Sequence, residues 1–423
     1  MLKVIRENPD KVKENIIRKN EKADIEPILK LDENRRAIIQ EVEKLKNKRN
    51  IATQEISNLK KNKENADDKI AEMKSVSDKI KSLDEELREI ELKLEEMVLS
   101  VPNILDSSVP TGKSAEDNVV IRSWGECPND GEYIDHIEIC NKFGLIDFER
   151  GAKVTGSGFH FYTGIGAKLE RALINFMLDF HIENNGYKEF IPPLMVNEDS
   201  MRGTGQLPKM AEDMYTMQID NLYMIPTAEV PLTNYYSQNQ LNVEDLPIKI
   251  CGYSPCFRRE AGSYGKDTRG LLRLHQFNKV ELVKFAHPES SYDELESLVA
   301  DVEKVLQALK IPYRVILLCS GDTSFSSAKT YDIEVWSPAD KKWLEVSSCS
   351  NFENFQAKRA GIRFKPTPNS KPEPVHTLNG SGLATPRLMI AILENYYNKE
   401  KNIIEIPEVM QPYTKMTEIS PII

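Results

Sequence analysis

No stretch of this 423-residue chain approaches the roughly 18 consecutive apolar residues that a membrane-spanning helix requires. The start, "MLKVIRENPDKVKENIIRK", is charged throughout and lacks the apolar centre of a secretory signal, so a cytoplasmic protein without membrane association is expected. Six cysteines (Cys127, Cys140, Cys251, Cys256, Cys319, Cys349) show no C-x-x-C spacing, which argues for reduced, mostly buried thiols rather than a disulfide framework or zinc ribbon. The six histidines form no HxxxH or HExxH pair, leaving a structural metal without support. Neither GxxxxGK[ST] nor a GxGxxG after a strand occurs, so P-loop and Rossmann sites lack support. A net charge of -10 speaks against coating nucleic acid by bulk electrostatics, and DNA is not an expected partner. Local basic patches stay open.

What is present begins with heptads. Leu31, Arg35, Ile38, Val42, Leu45, Arg49, Ala52, Ile56 and Leu59 recur at alternating steps of four and three, as do Met73, Val76, Ile80, Leu83, Leu87, Ile90, Leu94 and Met97. The polar stretch "KKNKENADD" separates them, which predicts an antiparallel coiled-coil hairpin turning near residues 64 to 68. At about 1.5 Å per residue each helix would extend on the order of 50 Å and protrude from any body. Residues 41 to 63 hold seven basic and three acidic side chains, whereas 81 to 97 hold three basic and seven acidic. The basic distal half, including Lys44, Lys48, Arg49, Lys60 and Lys61, reads either as a solvated coiled-coil surface or as an arm that grips phosphates.

"SVPNILDSSVPTGKSAEDN" breaks the heptads with proline and serine and reads as a linker, giving segments 1–103, 104–118 and 119–423. Beyond it, strand-like runs such as "RVILL", "YDIEVW" and "KWLEVSS" alternate with amphipathic helices, one carrying Leu169, Ala172, Leu173, Phe176 and Phe180 on a single face. The expected body is α/β or α+β and of catalytic size.

"CFRREAGSYGKDTRGLLRLHQFNKVEL" (residues 256–282) suggests how a phosphate ligand would be held without a P-loop. Arg258 and Arg259 end one strand, a turn carries Lys266 and Arg269, and "LLRLHQFNKVEL" returns as the second strand. Arginine forks bind phosphate oxygens bidentately, Glu260 can accept from an exocyclic amine, and Phe277 offers a flat face to a base. The same residues also fit an exposed hairpin with surface ion pairs.

This stretch resembles motif 2 of class II aminoacyl-tRNA synthetases, in the form of the seryl-tRNA synthetase family. "GAKLERALINFMLDFHIENNGYKEFIPPLM" resembles motif 1, "LNGSGLATPRLMIAILENYY" motif 3, and "IPTAEVPLTN" the family's serine-binding loop. With the hairpin, the resemblance spans nearly the whole chain. It implies an α+β fold: a helical tRNA-binding arm followed by a catalytic domain on an antiparallel sheet flanked by helices. It further implies a homodimer, ATP and L-serine as substrates, Mg²⁺ as cofactor, and tRNA(Ser) as partner, with tRNA(Sec) left open.

Carried over residue by residue, the resemblance puts Arg258 on the α-phosphate, Glu260 on the adenine amine, and Phe277 and Arg387 on either side of the adenine, with Arg259 beside them. Thr227, Ala228, Glu229, Glu281 and Ser381 would line the serine pocket. Glu345, Val346, Ser347 and Ser348 would meet ATP, with Glu345 and Ser348 also on Mg²⁺. Arg258 and Arg387 would be the catalytic pair. Without the resemblance, Glu281 and Glu345 read equally as exposed carboxylates, Ser348 as a backbone partner and Phe277 as core. Two departures from the family pattern stand out: "GLATPR" at motif 3, where Pro386 suits a first helical turn, and Gly158, where a charged residue is expected. The rival readings are a carrier-loading relative, disfavoured by the long arm, and a non-catalytic tRNA-binding paralogue, disfavoured by the intact arginines and serine loop.

Overall fold

The computed structural model describes residues 1–129, 131–261 and 269–422, so Lys266 lies outside the described residues. The chain divides into two compact units, one of residues 1–17 and 21–102, the other of 18–20 and 103 onward. Among the described residues no helix is long and apolar enough to cross a membrane.

The first unit contains α1 (Leu2–Glu7), α2 (Pro9–Arg18, its last residue in the other unit), α3 (Glu26–Lys61) and α4 (Asp67–Leu99). Helix α3 starts before the first heptad leucine because Pro27 fits the first turn of a helix. Its 36 residues correspond to roughly 54 Å. Ile38, Val42 and Ala52 on α3 are buried, as are Met73, Val76, Ile80, Ile90 and Leu94 on α4. The reversal occupies residues 62–66, slightly before the expected 64 to 68, with Lys63 at φ +61°. Ion pairs fix the antiparallel register: Arg35 with Glu91, Glu41 with Lys79, Lys46 with Asp84, Lys48 with Glu72 and Glu55 with Lys69.

The second unit is α+β, built on an eight-stranded sheet. In chain order its strands are β1 (Val119–Trp124), β2 (Lys188–Glu189), β3 (Ile248–Phe257), β4 (Gln276–Ala286), β5 (Tyr313–Leu317), β6 (Lys329–Ser337), β7 (Lys342–Asn351) and β8 (His376–Ala384). They lie in the order β1-β5-β6-β7-β8-β4-β3-β2, antiparallel except for β2 beside β3. Helix α5 (Gly164–Asn185) buries the expected Leu169, Ala172, Leu173 and Phe176, and also Ile174, Met177 and Leu178. It joins one core with residues of α7 (Ser291–Ala308), α8 (Thr385–Tyr396) and the sheet. A short helix between them, α6 (Glu229–Asn234), carries the serine-loop glutamate.

Two sequence readings need correction. "LLRLHQFNKVEL" does not return as strand from its first residue. Pairing starts at Gln276, because the His275 amide donates to Gly158 rather than to β3, while Leu271 and Leu274 are buried in irregular backbone. Residues 104–118 are irregular apart from one short turn (Ala115–Asp117), but they are no loose tether. Leu105 and Val109 are buried, and the Asp106 amide donates to Ala328. Just before them, the buried Asn103 donates through Nδ2 to the carbonyls of Ser326 (2.9 Å) and Phe352 (2.8 Å). Asn103→Ala strands these carbonyls and should cost about 2–3 kcal/mol in urea-unfolding free energy of the full chain; a loss within about 0.5 kcal/mol would show the segment to be dispensable.

Candidate active site

Alternation along strand β4 sets Lys279 and Glu281 on the face opposite Val280 and Leu282, which point into the hydrophobic core. Phe277 shares the parity of Lys279 and Glu281 but is half-buried and also packs against that core. Glu281 is 0% exposed, which removes its reading as a surface carboxylate. Its Oε2 accepts from the Thr227 hydroxyl (2.5 Å) and the Lys279 ammonium, and its Oε1 from Asn379 Nδ2 (3.2 Å). Lys279 also donates to Thr227 Oγ1 at 2.9 Å. Ser381 lies directly opposite Glu281 in the β4–β8 ladder.

Glu229, at the start of α6, is buried beside this cluster. Gln356 Nε2 donates to its Oε1 at 2.6 Å and Gln206 Nε2 to its Oε2 at 3.4 Å. Those amides are fixed in turn, since Thr377 donates to Gln356 Oε1 and Thr204 to Gln206 Oε1. Burial, followed by the charge of Glu281, pushes the Glu229 carboxyl up to about 7. Ala228 faces the other way, into an apolar cluster with Leu232 and Ile250, and offers a ligand no side-chain contact.

Arg258 follows β3. Its Nε donates to the Pro226 carbonyl (3.3 Å), and its guanidinium carbon stands 5.2 Å from the Phe277 ring centroid. His275 Nδ1 lies 3.0 Å from the Arg258 carbonyl, where it acts as donor because a carbonyl only accepts. Arg259 is exposed, and its amide donates to the Asp213 carbonyl. Glu260, at φ +52°, pairs with Arg273 at 2.5 Å.

At motif 3, Pro386 sits in the first turn of α8, as its fixed φ allows, and Arg387 follows it. Arg387 donates through Nη1 to the Glu345 carbonyl (2.9 Å) and through Nε to the Leu272 carbonyl (3.3 Å), with the Glu345 carboxylate 3.6 Å away. A register shift between β6 and β7 skips Val346. Val346 joins the core with Leu344 two residues before it, and Ser347 is buried with its hydroxyl on the Ser381 carbonyl, leaving both with main-chain atoms only for a ligand. Glu345 and Ser348 line a cleft of about 380 Å³ together with Asp332 and Glu334. Every donor there is an oxygen, and Asp332 Oδ1 is buried without a hydrogen-bond partner, a setting that fits a hard cation.

Gly158 has φ +79°, and a Cβ there would lie 2.5 Å from His275 Cδ2. A charged side chain is thus excluded by the histidine that holds Arg258. On the arm, Lys48 is tied to Glu72 at 2.6 Å, and Arg49 is half-buried on the heptad seam. Lys44, Lys60 and Lys61 are exposed.

The sequence reading missed Lys279, Gln206, Gln356, Arg273 and His275. Lys279 was within reach, because it shares parity with Phe277 and Glu281. The two glutamines carry no local signal, since they arrive at Glu229 from segments 23 and 127 residues distant. A carboxyl raised to about 7 in the folded state, against 4.5 for the unfolded chain, binds its proton more tightly when folded. Its stabilising contribution is complete below pH 4.5 and is lost as pH rises through 7, on the order of 3 kcal/mol. The melting temperature of the ligand-free protein should therefore fall between pH 5 and 8 more steeply than that of Glu229→Gln; parallel pH profiles would contradict this account.

Comparison with known proteins follows the same division of the chain. A family model described as the seryl-tRNA synthetase N-terminal domain matches residues 2–105, and one described as the class II tRNA synthetase core domain (G, H, P, S and T) matches residues 215–396. A serine–tRNA ligase of Carboxydothermus hydrogenoformans is 54% identical over 420 residues, 99% of each chain. One of Chloroherpeton thalassium is 60% identical over 342 residues, 80% of each. The crystal structure of seryl-tRNA synthetase from Pyrococcus horikoshii complexed with ATP superposes with a TM-score of 0.94 at 38% identity, covering 100% of both chains. The chain belongs to the seryl-tRNA synthetase family of class II aminoacyl-tRNA synthetases.

Proposed function

We infer that the protein activates L-serine with ATP and transfers the seryl group to the 3′ end of tRNA(Ser). The observation that carries this reading is the buried Thr227–Lys279–Glu281 cluster facing Glu229. It is a buried, polar cluster whose groups suit a zwitterion with one hydroxyl. Glu229 takes the serine ammonium, which supplies the cation its carboxylate lacks, while Glu281, Thr227 and Ser381 surround the hydroxyl.

Serine's carboxylate, with a reference pKa near 3.5, is ionised at neutral pH, so attack on the α-phosphorus needs no general base. Arg258, held by the Pro226 carbonyl and the His275 bridge, neutralises charge on the α-phosphate. Phe277 and Arg387 sandwich the adenine, Glu260 takes its amine, and Arg387 stabilises departing pyrophosphate. Glu345 and Ser348 would hold Mg²⁺. Bound there, the ion supplies further charge neutralisation to the phosphates. Among the described residues no three acidic, histidine or cysteine side chains converge on one point, which suits an ion that keeps water and phosphate oxygens as ligands.

Residues 1–103 serve as the tRNA-binding domain, 104–118 as the link and 119–423 as the catalytic domain. Lys44, Lys60 and Lys61 are the arm's best-placed phosphate contacts. The exposed apolar side chains Ile165, just before motif 1, and Ile191, Leu194 and Met195 within it support a homodimer. Six free thiols suit a cytoplasmic setting.

Pyrophosphate exchange into ATP should proceed with serine but be weaker with alanine by about 10⁴-fold, because alanine leaves the polar pocket unmatched. Glu281→Ala should erase most of that discrimination, and a variant as selective as the parent would remove Glu281 from the hydroxyl site. Replacing residues 36–92 by a short linker should abolish tRNA charging and leave serine-dependent exchange intact. Unchanged charging by that deletion would rule out the arm as the tRNA contact.

A further inference from the structure

On the core side of β4, opposite Phe277 and Lys279, stands Asn278. Its Nδ2 donates to Oε1 of Glu170, a residue of α5, at 2.8 Å. The same carboxylate oxygen accepts from the hydroxyl of Thr385, the first residue of α8, two positions before Arg387. Thr385 Oγ1 also approaches the Asn278 carbonyl at 3.2 Å, and Tyr253 donates to Asn278 Oδ1 at 3.0 Å. One buried oxygen thus ties three elements: the motif-1 helix, the strand that carries Phe277 and the helix that carries Arg387.

This carboxyl is costly where it stands. Glu170 is 4% exposed; burial raises its pKa, and hydrogen bonds from Thr385, Asn278 and the neighbouring Tyr162, with no cation among the described residues, oppose the shift. Its second oxygen and the Tyr162 hydroxyl lie buried without a hydrogen bond of good geometry. An apolar side chain would serve α5 packing better, and buried polar groups that break local rules concentrate where a site must be held in place.

We propose that Glu170 is a positioning residue that sets the distance between the Phe277 and Arg387 walls of the ATP site. The inference rests on the assignment of those two residues to ATP. Without the shared acceptor, α8 slides against the back of β4 and the walls lose their spacing, whereas the serine cluster on the front of β4 keeps its own bonds.

The test is steady-state pyrophosphate exchange with Glu170→Ala and Glu170→Gln, reading the KM for ATP and for serine separately, alongside melting temperatures and an Arg387→Ala control. Glu170→Ala should raise the ATP KM at least about fivefold with the serine KM within about twofold, and Glu170→Gln, which keeps an acceptor oxygen, should restore both. A lower melting temperature with both KM values unchanged, or equal rises in the two, overturns the proposal. Should Glu170→Ala fail to fold, Thr385→Val decides: it removes one donor and keeps the packing shape, and an unchanged ATP KM overturns the proposal. An Arg387→Ala variant with unaltered ATP KM overturns the underlying site assignment instead, and the inference with it.

Discussion

Burying charge at the centre of a sheet is the constraint around which the catalytic unit is arranged. Two carboxylates, Glu229 and Glu281, share the pocket with the ammonium of Lys279, and all three are removed from water. Such a group survives only if nearly every lone pair and proton finds a partner. Thr227, Asn379, Gln356 and Gln206 supply those partners, and Thr377 and Thr204 fix the glutamines from behind. Burial, and after it the charge of Glu281, is why Glu229 holds its proton up to about 7. Under the proposed assignment, the ammonium of an amino acid would bring this buried acidic cluster a second cation.

The proposed ATP side is organised differently. Its arginines are exposed or half-buried and are aimed by main-chain carbonyls: Arg258 by Pro226, Arg387 by Leu272 and Glu345. Carbonyl partners orient a guanidinium without neutralising it, which leaves the Arg258 charge available to phosphate oxygens, whereas Arg387 also has the Glu345 carboxylate 3.6 Å away. The two halves meet on β4, where Phe277 belongs to one and Glu281 to the other. That strand runs 11 residues with β3 and β8 on its flanks, and under the proposed assignment it would keep the nucleotide and amino-acid ends in register.

Much of this was legible in the sequence, for identifiable reasons. Heptads such as Ile38–Val42 and Val76–Ile80 are local patterns, and the structure turns them into one buried seam. The motif residues Arg258, Glu281 and Arg387 were found through resemblance, and the alternation Phe277–Lys279–Glu281 carries the parity that brings Lys279 to the same face. What could not be read was set by register and by distant segments. The skipped residue in β7 brings Glu345 and Ser348, of opposite parity, to one cleft, and no composition rule foretells it. Ala228 points into apolar packing for the same kind of reason, and Gln206 and Gln356 become neighbours of Glu229 only when the chain is folded. Gly158 looked anomalous until His275 was seen to occupy the space of any side chain there.

The ion pairs that lace α3 to α4 bear on how the arm would respond to salt. Lys46, Lys48, Lys69 and Lys79 are each committed to a carboxylate of the opposite helix, so they hold few condensed anions to exchange and present little net field. Only cations outside these pairs, such as Lys44, Lys60 and Lys61, release phosphate-bound counterions when a polyanion is met. The steepness with which affinity falls on a logarithmic salt scale follows that number of released ions. An arm rich in lysine by count is therefore a moderate electrolyte in practice, able to let go of a nucleic acid as readily as it takes one up.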